Sequence, residues 1–161
     1  MVKYIAKEVL TMKKRIILVV ACLMMVLSSS CLAANWVWVT SDSRMGFFFD
    51  SDSIKVYETE GKPETRRITF WEQIVYDDAF AEKQGVINGQ TVKAIRQRVN
   101  CSRPNMAQVT YSRYFYAKDG TVLASKPNMQ EKEPLIPDTF GDKVSLAVEK
   151  YAVEHNIKPQ K

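Results

Sequence analysis

The sequence predicts an α+β fold: an antiparallel β-sheet with a C-terminal amphipathic helix packed on one face. Three observations carry this prediction. Several runs of β-branched and aromatic residues alternate at period two, as half-buried strands do. Lys118-Asp119-Gly120 stands between two such runs, and Asp-Gly in that position is a strong hairpin signal. Asp138–His155 alone has sustained helical spacing, and its apolar stripe needs a sheet face to cover. A chain of 161 residues accommodates one such domain.

The N-terminal segment reads as an export signal. Lys13-Lys14-Arg15 precedes an uncharged apolar run, Ile16–Leu27, and then Ser28-Ser29-Ser30-Cys31-Leu32-Ala33-Ala34. This is the charged, apolar and small-residue order of a secretory signal peptide, with cleavage expected after Ala33 or Ala34. The apolar run is shorter than the roughly 20 residues that span a bilayer, so no stable membrane span is expected after cleavage. Met12, directly before the basic block, is an alternative start to Met1. A lipid anchor is the competing reading. Cys31 lacks a branched apolar residue three positions earlier, whereas Cys22 has Val19 there but is followed by the apolar Leu23–Leu27. The expected organisation is a signal peptide over 1–33 and a single domain over 34–161, located in the periplasm, on the cell surface or in the medium.

Charge supports this division. Lys3, Lys7, Lys13, Lys14 and Arg15 against Glu8 give residues 1–34 a net +4, leaving +1 for the rest. The basic balance of the whole chain therefore argues for export rather than for a nucleic-acid partner.

Along the domain, Trp36–Thr40 reads as a strand, Ser41–Arg44 as a turn and Met45–Phe49 as a second strand. Asp50-Ser51-Asp52-Ser53 reads as a turn, because Asp and Ser bond their own backbone, with Ile54–Tyr57 a third short strand. Glu58–Glu64, holding Gly61 and Pro63, reads as a loop. Thr65–Tyr76 is the longest strand. Ile68, Phe70, Ile74 and Tyr76 share one face, interrupted by Arg66 and Glu72, with Trp71 and Val75 on the other. Asp78–Lys83 reads as a short helix stopped near Gly85, followed by a turn at Asn88-Gly89. Val92–Cys101 fits both periods, and its residues alone do not decide between helix and strand. Ala107–Ala117 reads as a strand with Val109, Tyr111 and Phe115 on one face and Tyr114 and Tyr116 on the other. Thr121–Ser125 returns, and Lys126–Pro137 reads as a connection. The terminal helix follows, capped by Asp138 or Thr139, with Phe140, Val144, Ala147, Val148, Tyr151 and Ala152 in its stripe.

Chemistry-bearing residues are sparse. His155 is the only histidine and stands near the C-terminus, a poor foundation for a catalytic triad or a metal cluster. Asp50 and Asp52 lack the glycine and distal glutamate of a calcium loop. Asp77-Asp78 fits helix capping better than paired acid and base work. No catalytic, metal-binding or cofactor-binding residue is expected, and no cofactor. Cys101 is the one cysteine left after cleavage and is expected to be an unpaired thiol. It is either buried and inert or a bridge to a second chain in a dimer. Arg66, Arg67, Arg96, Arg98, Arg103 and Arg113 are interleaved with aromatics and read as a solvated sheet face. Most aromatics read as core. Any on the sheet face away from the helix would form a sticky surface for a peptide, protein or flat ligand.

The order of these features resembles the bacterial surface-adhesin protein E-like family. The residues that carry it are Trp36–Thr40, Phe48-Phe49-Asp50-Ser51-Asp52-Ser53-Ile54, Ile95–Cys101, Tyr111–Ser125 and Ile136-Pro137-Asp138-Thr139. The resemblance implies an antiparallel sheet under a terminal helix, and with it a strand over Val92–Cys101. It further implies that the counterpart of Cys101 is often bridged to a cysteine of that helix. Tyr151-Ala152 stands near that partner's expected place, and no cysteine follows Cys101. The family brings no catalytic residues.

The resulting expectation is an exported, non-enzymatic, adhesin-like binding protein of the cell envelope. It would engage extracellular or envelope proteins through its sheet surface. A periplasmic domain for a flat small molecule is one alternative, and an exported hydrolase without a recognisable motif is another.

Overall fold

A computed structural model describes residues 34–160. The export signal, Met12, Cys22, Cys31 and Ala33 lie outside the described residues, and Ala34 is exposed at their start. Among the described residues, nine strands and two helices follow one another: β1 (Trp36–Ser41), β2 (Met45–Thr59), β3 (Lys62–Tyr76), α1 (Asp78–Gln84), β4 (Val86–Ile87), β5 (Gln90–Thr91), β6 (Ala94–Ser102), β7 (Ala107–Tyr116), β8 (Val122–Lys126), β9 (Glu131–Pro134) and α2 (Phe140–Glu154). The main sheet is antiparallel in the order β1-β2-β3-β6-β7-β8, with β9 also pairing β7. The α+β prediction holds.

Two segments read as separate strands are one. Met45–Phe49 and Ile54–Tyr57 belong to the single strand β2, and Asp50-Ser51-Asp52-Ser53 is a bulge inside it rather than a turn. Local hydrogen bonds explain why a polar segment stays in the sheet. The Asp50 carboxylate accepts from Asn35 N at 3.0 Å and Asp52 N at 3.2 Å. The Ser53 hydroxyl accepts from Trp71 N at 2.8 Å, replacing a ladder bond. The supposed loop at Glu58–Glu64 contracts to a turn around Gly61 at φ 72°, and both flanking strands run into it.

The structure makes Ala94–Ser102 a strand, paired with β3 and β7. Lys126–Pro137 is more than a connection, because Glu131–Pro134 pairs with the first half of β7. Asn88 and Gly89, at φ 51° and 78°, turn the small β4–β5 hairpin. Thr139 rather than Asp138 caps α2, its hydroxyl accepting from Asp142 N.

The core lies between the sheet and α2. Val144, Val148 and Ala152 are buried against Phe49, Val56, Ile68, Phe70, Val99 and Cys101. Phe140 stacks on Phe47 at 4.5 Å and Tyr151 meets Phe49 edge-on at 5.4 Å. Such pairs contribute about 0.5–1.5 kcal/mol each beyond burial. A second cluster, Tyr76, Ala81, Val92, Ala117 and Leu123, lies under α1. The helices therefore cover one side of the sheet.

Candidate functional site

Cross-strand partners share a face, so the register locates the side that the helices do not cover. Trp36 pairs with Asp50, Asp50 with Trp71, and Trp71 with Arg98. The next row is Trp38, Phe48, Gln73, Arg96 and Tyr114. Both rows alternate with the core positions Phe47, Phe49, Phe70 and Val99, and they form the open face. All three tryptophans of the chain stand there, and Trp38 is 60% exposed.

The face assignment of β7 requires a correction. Val109 and Tyr111 do not share a side with Phe115. The register slips between Arg98 and Val99, so Tyr111 is an extra residue on β7. Thr110 and Phe115 turn to the helix side, while Val109, Tyr111, Tyr114 and Tyr116 face the open side. Tyr111 and Tyr57 flank an open groove of about 1280 Å³, lined also by Arg67, Asn100, Met106 and Lys132.

The arginines divide between the faces. Arg66 bonds Glu149 at 2.6 Å and Glu58 at 2.9 Å, Arg103 bonds Asp142 at 2.7 Å, and Arg113 approaches Glu131 at 3.3 Å. These three serve the helix side. Arg67, Arg96 and Arg98 stand on the open face. Arg96 lies between Trp36 at 5.2 Å and Tyr116 at 4.6 Å, and donates to Gln73 Oε1 at 2.7 Å. Arg67 lies over Tyr57 at 6.0 Å. Stacked guanidinium groups keep their in-plane donors available to a partner.

The sequence pattern of the surface-adhesin protein E family matches residues 36–148. The chain belongs to the surface-adhesin protein E family. Its fold is similar to crystal form II of Haemophilus influenzae protein E, with TM-score 0.50 and 16% identity over 78% of this chain and 92% of that one. A second structure of Haemophilus influenzae protein E gives TM-score 0.46 and 17% identity over 80% and 92% of the two chains. At these identities the likeness is one of fold. No curated protein matches the chain.

Protein E family membership gives Cys101 its context. Its thiol is free and buried, 3.5 Å from the Gln108 side-chain oxygen. Ala152, near the expected partner position, is buried in the same cluster. Burial pushes the thiol well above its ordinary range, and the nearby Glu72 carboxylate adds to this. Native protein should therefore resist iodoacetamide at pH 8, with alkylation appearing only after denaturation. Rapid native alkylation, read by intact mass, would contradict this burial.

The other candidates have structural roles. His155 stacks on Tyr151 at 3.8 Å and follows α2. Asp77 caps α1 by accepting from Ala79 N, and Asp78 pairs with Lys93 and Lys118. No group of three or more potential metal ligands occurs among the described residues. No helix among them is long and apolar enough to cross a membrane.

One polar cluster was not legible in the sequence. Glu72, 4% exposed on the helix side, accepts from Gln97 Nε2 at 2.6 Å, and Gln97 Oε1 accepts from Arg113 Nε at 3.0 Å. Glu72 sits between Phe70 of the first core cluster and Ile74, which packs against both clusters. Burial raises its pKa, against the opposing effects of the Gln97 bond and Arg113. Period-two spacing marked Glu72 as an interruption, and only the register shows Gln97 and Arg113 lined up beside it.

Proposed function

We propose that this protein is an exported, non-enzymatic binding protein of the cell envelope that holds protein partners on the open face of its sheet. The observation that carries this reading is the row of partly exposed aromatics on that face, led by Trp38 and Tyr111. Aromatic and arginine side chains are the usual anchors of protein interfaces. Family membership supports a surface-adhesin role, and the 1–33 segment supports export with cleavage after Ala33 or Ala34. The two side chains best suited to nucleophile and base work are both otherwise engaged, which favours binding over a hydrolase built on them. Cys101 is buried and His155 stacks on Tyr151.

The test is retention of extracellular-matrix proteins by the immobilised domain. The Trp38→Ala/Tyr111→Ala variant should lose most of this retention while keeping its circular dichroism. Leu146→Ala/Val153→Ala, on the exposed side of α2, should keep it. Equal retention by both variants would defeat the assignment to the open face. The groove between Tyr57 and Tyr111 supports a second reading, a flat small molecule laid against the sheet. A ligand of that class would co-purify by mass and be lost with Tyr57→Ala.

A further inference from the structure

We infer that the open face selects an acidic, extended protein segment, one with carboxylates at alternate positions. This rests on the open face being the binding face and adds the chemistry of the partner. The observation is a segregation of unpaired charge. Lys55, Arg67, Arg96, Arg98 and Lys132 fall on open-face rows, through the pairs Lys55 with Thr69, Tyr57 with Arg67, and Val109 with Lys132. Among the described residues none of the five forms an ion pair, whereas Arg66, Arg103 and Arg113 on the helix side all do. Asp50, the acid of the central rows, is engaged by the Asn35 and Asp52 N–H groups. Of the other acids at the groove, Glu58 is held by Arg66, Glu64 adjoins the β2–β3 turn, and Glu133 pairs with Gln108 on the helix side. The residues after the signal carry a net charge near +1, so this positive field is local to the face rather than general.

Geometry narrows the occupant further. Arg96 and Arg98 are two residues apart on β6, a separation of about 7 Å by strand rise. An extended peptide presents alternate side chains at that same spacing. Asn100 and Gln73 stand among the cations and offer bonds to a peptide backbone. A second copy of this face would oppose cation to cation.

The test uses a synthetic peptide of alternating Glu and Thr, about ten residues long, titrated into the domain at low salt. A Gln-Thr peptide of equal length is the control. The Glu peptide should bind, weaken as sodium chloride rises, and lose about tenfold in affinity with Arg96→Gln/Arg98→Gln. The Lys55→Gln/Lys132→Gln variant, altered only at exposed ends, should show a smaller loss and guards against misfolding of the first. Equal binding of the Gln-Thr peptide, or no loss in either variant, would overturn the inference. Tighter binding of heparin or oligothymidylate than of the Glu peptide would overturn it in favour of a sulfate or phosphate polymer. Matrix-protein retention measured on the same samples separates the two readings. If retention persists without peptide binding, only the acidic-segment inference falls; if both are absent, the binding face falls as well.

Discussion

Replacing Phe49 by Ala should lower the unfolding free energy by about 3–5 kcal/mol, a large part of the roughly 5–15 kcal/mol available to a domain. Phe49 is almost fully buried, pairs with Val37 and Glu72 on either side, and meets Tyr151 of α2 edge-on. Among the described residues no disulfide ties α2 to the sheet, since Cys101 is free. Docking of the helix therefore rests chiefly on packing by Phe140, Val144, Val148, Tyr151 and Ala152, with the Arg66–Glu149 and Arg103–Asp142 ion pairs at its flanks. Removing the ring takes away part of that packing and leaves a cavity. Urea unfolding followed by far-ultraviolet circular dichroism measures the change. A loss under about 1 kcal/mol would mean that the helix is held by something other than this core.

Replacing Glu72 by Gln should stabilise the protein at pH 7. Burial raises the folded-state pKa of Glu72 above the ordinary carboxylate value. The group's contribution to stability is therefore fully present below the unfolded-state pKa and is lost as pH rises through the raised value. The Glu72→Gln variant carries no titrating group there and escapes that loss, yet its amide oxygen still accepts from Gln97. The expected gain is about 1 kcal/mol or more at pH 7, fading towards pH 4. Melting temperatures of both proteins across this range test it, and parallel curves would contradict it. The two sites should also couple. A cavity at Phe49 admits water beside its neighbour Glu72, so the gain from Glu72→Gln should shrink in the Phe49→Ala background.

The elements with local signals were legible. Lys118-Asp119-Gly120 turns a hairpin because Gly120, at φ 86°, supplies the backbone conformation required. Thr139 and the stripe from Phe140 to Ala152 define α2 without reference to the sheet. What failed were positions where a bulge changes the parity of a strand. Asp50–Ser53 stays in β2 because Asn35 and Trp71, remote in sequence, supply the missing bonds. Tyr111 reaches the open face because one extra residue stands opposite the Arg98–Val99 step. Glu131–Pro134 carries no β-branched residue, so its pairing with β7 left no trace in propensity. The candidate site was legible as a supply of aromatics and arginines. Their division between two faces depends on these bulges and on acids such as Glu149 and Asp142, which the fold brings from α2.

The central claim is that the open face is the one that meets a partner. Because Trp36, Trp38 and Trp71 all stand on it, intrinsic fluorescence reports its occupancy directly. The decisive measurement is acrylamide quenching of the domain with and without a retained matrix protein lacking tryptophan. Binding at the open face predicts a blue-shifted emission and markedly reduced quenching, with most of the protection lost in Trp38→Phe. Binding confirmed by an independent method, with quenching unchanged, would place the partner elsewhere and contradict the account.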